Sequence, residues 1–128
     1  MYHIFATVQV CDTSLSQLLV FPDGRRMVTS PSGNALCLWN FKDGVVLKKM
    51  EGHDAQVRTV AVSGDGKLIA SSDMGGKPMA WGGETGESLT DAMQAHSEPI
   101  LLLDFSPDNG VLASVSKSDK TIKLWRTG

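Results

Sequence analysis

Cys11 and Cys37 are the only cysteines in 128 residues. Two thiols build neither a disulfide framework nor a four-ligand zinc site. They fit an intracellular protein, cytoplasmic or nuclear, that keeps both thiols reduced. Basic clusters are also scarce. Twelve Lys and Arg face fourteen Asp and Glu, for a formal charge of −2 with no Lys/Arg run, and this argues against a nucleic-acid partner. No window approaches the ~18 apolar residues of a membrane-spanning helix, so no membrane partner is expected. The opening MYHIFATVQV lacks the basic region that begins a signal peptide.

Catalytic patterns are missing too. SGDGK, from Ser63, has a phosphate-loop flavour, but the rest of that motif is absent and Leu68 stands where a magnesium-binding hydroxyl would be needed. A hairpin turn explains it better. No His/Cys/Asp spacing offers three or four converging ligands, so no metal and no cofactor are implied. No stretch carries a sustained 3.6-residue period with caps, which excludes helices from the expected architecture.

What the chain does have is a repeat. Trp39, Trp81 and Trp125 are spaced by 42 and 44 residues, and His53 and His96 by 43. Turn signals FPDGRR, VSGDGK and FSPDNG precede each tryptophan at similar distance. Around them each repeat shows a first strand (LSQLLV, VRTVAV, ILLLDF), a second (RMVTS, LIASS, VLASVS) and a third ending in Trp (ALCLW, KPMAW, TIKLW). VVLKKM and ESLTDAM follow as fourth segments, and HIFATVQV, from His3, falls in the same slot ahead of the first repeat. Pro78 removes a ladder donor, so it either weakens its strand or stands at the strand's start. Four short strands per ~43 residues mark a propeller blade. The expected fold is all-β: three four-stranded blades in one domain, with repeats at about 11–52, 53–94 and 95–128 and residues 1–10 as a seam strand.

EGH before DAQVRTVAVSGDGKLIASS, and FSPDNGVLASVS followed by SDKTIKLW, resemble the WD-repeat family over essentially the whole chain. The resemblance implies a buried hydrogen-bond network of His, Ser/Thr, Asp and Trp. Only the third repeat matches it fully, with His96, Ser114, Asp119 and Trp125. The second has His53, Ser71 and Trp81 but Gly75 at the Asp position. The first keeps Trp39, with Cys11 for the His and Gly33 in the turn. Partly satisfied buried networks cost stability, so the first two blades are expected to be looser.

The same resemblance implies a protein or peptide partner docking on the propeller rim, at Ser14, Ser16, Gln56, Arg58, Pro99 and Leu101, with Ser32, Met74 and Ser118 nearby. Arg58 is the leading candidate. The function implied is non-enzymatic scaffolding. Two alternatives stay open: a structural piece lending blades to a larger propeller, and a small-ligand or sugar site in the channel. Three blades fall short of the usual four to eight. The chain is therefore expected to pair head to tail as a homodimeric six-bladed ring, each N-terminal strand completing the other's last blade, or to be part of a longer propeller.

Overall fold

The computed structural model describes residues 15–31, 33–91, 94–116 and 121–127. These residues form ten strands, with no helix among them. The first sheet joins β1 (Leu15–Val20), β2 (Arg26–Pro31), β3 (Ala35–Asn40) and β4 (Val46–Glu51) in that order. The second joins β5 (Val57–Val62), β6 (Leu68–Asp73) and β7 (Pro78–Gly82), and the third β8 (Ile100–Phe105), β9 (Val111–Ser116) and β10 (Thr121–Arg126). Every pairing is antiparallel and between consecutive strands.

Turn chemistry fixes the hairpins. Between the first and second strands of each sheet, Gly24, Gly66 and Asn109 take φ of 71°, 73° and 64°. Glycine meets no Cβ penalty in that left-handed region and Asn tolerates it. Just ahead of each, an aspartate accepts an amide two residues on: Asp23 from Arg25, Asp65 from Lys67 and Asp108 from Gly110. The Arg25 amide holds the Asp23 carboxyl below its usual range, and the Ser63 and Ser106 hydroxyls do the same for Asp65 and Asp108.

The sheets stack face to face as blades. Val28, Leu36, Leu38 and Met50 of blade 1 pack with Val57, Val60, Ile69, Met79 and Trp81 of blade 2. Ala61 and Ala70 of blade 2 pack with Ile100, Leu103 and Leu112 of blade 3, with Phe105 and Trp125 against them. Polar staples cross the same junctions. Arg26 lies over the Phe21 ring and donates to the Gly83 carbonyl, and the Gly64 amide donates to Asn109 Oδ1 at 2.7 Å. β5 touches both β1 and β8, so the first strands run along one edge of the stack. The far face of blade 3 is open and apolar except for exposed Asp104: Leu102, Ile122 and Leu124 are 66%, 70% and 71% exposed.

The fourth segment of the second repeat departs from expectation. ESLTDAM was expected as a strand, but over its described residues 87–91 only an isolated bridge forms, between Trp81 and Ser88. The Gly82 amide reaches the Glu87 carbonyl and the Leu89 amide the Ala80 carbonyl. The next acceptor is a side chain, since the Ala80 amide donates to Thr90 Oγ1. The ladder stops there because Glu, Ser and Asp are weak strand formers and Thr90 diverts the bond. Pro78 begins β7, as its missing donor requires. The seam segment 1–10 lies outside the described residues.

Candidate functional site

The blades carry two constellations: a buried network inside each blade, and the rim that the blades present.

In blade 2, β6 supplies Ser71 and Asp73, β7 carries Trp81 one residue before its end, and His53 comes from the segment leading into β5. All four are buried. Trp81 Nε1 donates to Ser71 Oγ at 2.8 Å. His53 Nε2 lies 2.6 Å from the same hydroxyl, and Nδ1 lies 3.0 Å from Asp73 Oδ2. One assignment satisfies every group: Nδ1–H donates to the carboxylate, and Ser71 donates to Nε2 while accepting from Trp81. Asp73 Oδ1 also accepts the amides of Gly75 and Lys77, which shapes the turn. Burial pushes the His53 imidazole below its usual range, outweighing the Asp73 hydrogen bond and the charges of Asp73 and Asp54.

This corrects the reading of blade 2 as incomplete. The turn is one residue shorter there, with ten residues from Ser71 to Trp81 against eleven from Ser114 to Trp125. The aspartate sits two residues upstream of Gly75 and reaches the histidine from the strand end. The stated reason for a looser second blade therefore disappears. Blade 3 shows His96 Nε2 at 3.0 Å from Ser114 Oγ, which also accepts Trp125 Nε1; Asp119 lies outside the described residues. In blade 1, Trp39 donates to Thr29 Oγ1 at 2.9 Å, and Cys11 lies outside the described residues. Apart from the half-buried Trp125, these groups are buried and bond one another. Among the described residues, no three His, Cys, Asp or Glu side chains converge as metal ligands.

The rim is built by a recurring irregularity. Each first strand shifts register at its second residue: between Leu15 and Gln17 in β1, Val57 and Thr59 in β5, and Ile100 and Leu102 in β8. The residues left without a cross-strand partner are Ser16, Arg58 and Leu101. A bulge of this kind bends the strand and re-aims the extra side chain. Sequence reading picked these three positions from the family resemblance; the bulge itself leaves no sequence signature.

Backbone bonds join the rim from blade to blade. The Val57 amide donates to the Gly33 carbonyl, and the His96 amide to the Gly76 carbonyl. These two turns between second and third strands thus grip the lead-in to the next blade. The Met74 amide donates to the Gln56 carbonyl, placing exposed Met74 beside exposed Gln56. Arg58 and Pro99 are half-buried, and Leu101 is exposed. Among the described residues Arg58 forms no ion pair, whereas Lys77 on the same rim pairs with Asp54 at 3.8 Å. The structure brings Gln56, Arg58 and Met74 together on blade 2, with Pro99 and Leu101 following at the start of blade 3. Ser14, Ser32 and Ser118 lie outside the described residues, as does the side chain of Ser16.

Comparison with known proteins gives a consistent picture. The family described as "WD domain, G-beta repeat" matches residues 44–81 and 87–126. Each match runs from a fourth segment through the next third strand, the register read from the repeats. Protein LST8 homolog of Dictyostelium discoideum is 39% identical over 75 residues, covering 56% of this chain and 24% of that protein. Intraflagellar transport protein 122 homolog of Xenopus tropicalis is 28% identical over 114 residues, covering 89% of this chain and 9% of that protein. Two solved structures, "Structure of U3-55K" and "Crystal structure of RRP9 WD40 repeats", each superpose with a TM-score of 0.84 over 92% of this chain and 37% of theirs, at 23% and 24% identity. The chain therefore corresponds to a quarter or less of these two relatives and about a third of the solved propellers.

Proposed function

Because the chain belongs to the WD-repeat family, we propose that it is a non-enzymatic scaffold whose bulged rim docks a protein or peptide partner. The observation that carries this reading is the recurrence of one bulge at Ser16, Arg58 and Leu101. A rigid sheet stack holds these positions in series, and function in such folds sits on the presented surface. Arg58 brings guanidinium donors that no carboxylate in the described chain engages, and Met74 and Leu101 add apolar area beside it. The two cysteines support an intracellular setting.

The test is a pull-down from cell extract with the chain, alongside Arg58→Ala and Gln56→Ala variants of matched melting temperature. Loss of the same partner band from both variants supports the reading. Equal recovery of every partner by all three proteins overturns it.

A second reading concerns assembly, and the open face of blade 3 favours it. Leu102, Val115 and Ile122 share one row across β8, β9 and β10 and face away from blade 2. The occupant that fits is another four-stranded blade presenting its Trp-bearing face, because that is what covers the corresponding faces of blades 1 and 2. A second copy of the chain or further blades of a longer propeller would supply it. Absolute mass by light scattering separates them, since association of 13.7 kDa chains raises the mass only in the first case.

A further inference from the structure

A cleft of about 280 Å³ opens between blades 2 and 3. It lies toward the strand ends opposite the rim, where β8 and β10 finish and β6 begins. Its cause is visible in the register. Across blade 1, Leu19, Val28 and Leu38 form one row facing blade 2. The corresponding row across blade 2 is Ala61, Ala70 and Ala80. Arg26, which spans the first junction to reach Gly83, is replaced by Leu68 at the second. Aliphatic bulk that seals one junction is therefore missing from the next, and Met79, Phe105, Leu112 and Trp125 complete an apolar wall around the space.

The mouth is different in character. Leu89 and Arg126 are exposed there, beside Thr90 and Thr127. Thr127 spends its hydroxyl proton on the Asn109 carbonyl. Thr90 Oγ1 accepts the Ala80 amide, which leaves its own proton to donate. Among the described residues Arg126 forms no ion pair.

We propose that this cleft binds a small amphiphilic carboxylate, a flat fused-ring body with its carboxylate at Arg126 and Thr90. Size and charge both select that class. A dry cavity of roughly 150 Å³ accommodates one benzene ring, so this one accommodates two fused rings. An apolar wall repels inorganic anions and sugars, while a planar guanidinium at the rim of the cleft favours a carboxylate over a neutral head. The site is separate from the docking rim and does not depend on it.

The probe is 2-naphthoate, titrated into the intact chain by calorimetry, with neutral 2-methylnaphthalene as its comparison in a fluorescence titration. Saturable binding of 2-naphthoate is expected. Arg126→Gln should weaken 2-naphthoate about tenfold and leave 2-methylnaphthalene unchanged. Ala80→Leu restores the blade 1 residue, fills the cleft and should abolish both, with a melting temperature equal to or above that of the parent. If Ala80→Leu misfolds, Ala70→Val fills the same space from β6 and should weaken both ligands. No saturable binding by the parent chain, or full binding by a folded cleft-filling variant, overturns the proposal.

Discussion

Asp73 does the work of two groups with one carboxylate: it orients His53 through Oδ2 and closes the following turn through Oδ1. Removing it strands a buried imidazole N–H and two turn amides. Asp73→Ala should cost about 3 kcal/mol, the scale of leaving buried donors without their charged acceptor, read as a lower urea midpoint at constant slope. His53 makes a pH prediction whose sign follows from burial. Its pKa in the fold lies below the ordinary 6.5, so the unfolded chain binds a proton that the folded chain refuses. The contribution is fully present above pH 6.5 and is lost as pH falls from there through the folded value. Asp73 and Asp54 are the charges that moderate it. His53→Gln should flatten that part of the stability profile in denaturant melts at stepped pH.

At the level of elements, the turn after β6 links rim and stack. Gly76 has φ of 77°, and a Cβ there would lie 2.2 Å from the His96 carbonyl oxygen and 2.6 Å from that of Glu98. Both obstacles are backbone, so they cannot rotate away. Gly76→Ala should cost about 2 kcal/mol or more and loosen the lead-in to blade 3, seen as faster amide exchange at His96. The strands were legible because apolar runs recur between Asp-Gly and Asp-Asn turns at one period. The fourth strand of the second repeat was over-read: periodicity placed it, but its polar residues and Thr90 undo the ladder. Asp73 was missed for the opposite reason. Repeat alignment looks for the aspartate in the turn, and a turn shortened by one residue moves the same chemistry to the strand end. The row Ala61, Ala70 and Ala80 was present in the aligned repeats, but that it opens a cleft depends on which faces stack.

For the whole molecule, the third blade's far face is the place to test the proposed stacking of another blade. Lysines at Ile122 and Leu124 would put two charges, in two adjacent rows, onto the face proposed to receive another blade, without touching the cores between described blades. The Ile122→Lys, Leu124→Lys variant should keep its melting temperature within a few degrees and lose at least tenfold in self-association or in binding to a blade-bearing partner, measured by sedimentation. Equal association by parent and variant would mean that this face stays uncovered. The order of strands has a different kind of consequence. Among the described residues, sheets are made from consecutive strands and each blade is bonded to its immediate neighbours. Copying one stretch of about 43 residues within the gene would therefore insert a complete new unit, hydrogen bonds included, and leave the pairing of every other strand unchanged. Such an architecture can grow or shrink by duplication and deletion, and copies freed from identical packing can diverge one at a time. An aspartate displaced by two residues and a row of alanines in place of leucine and valine are what that divergence looks like between neighbouring copies.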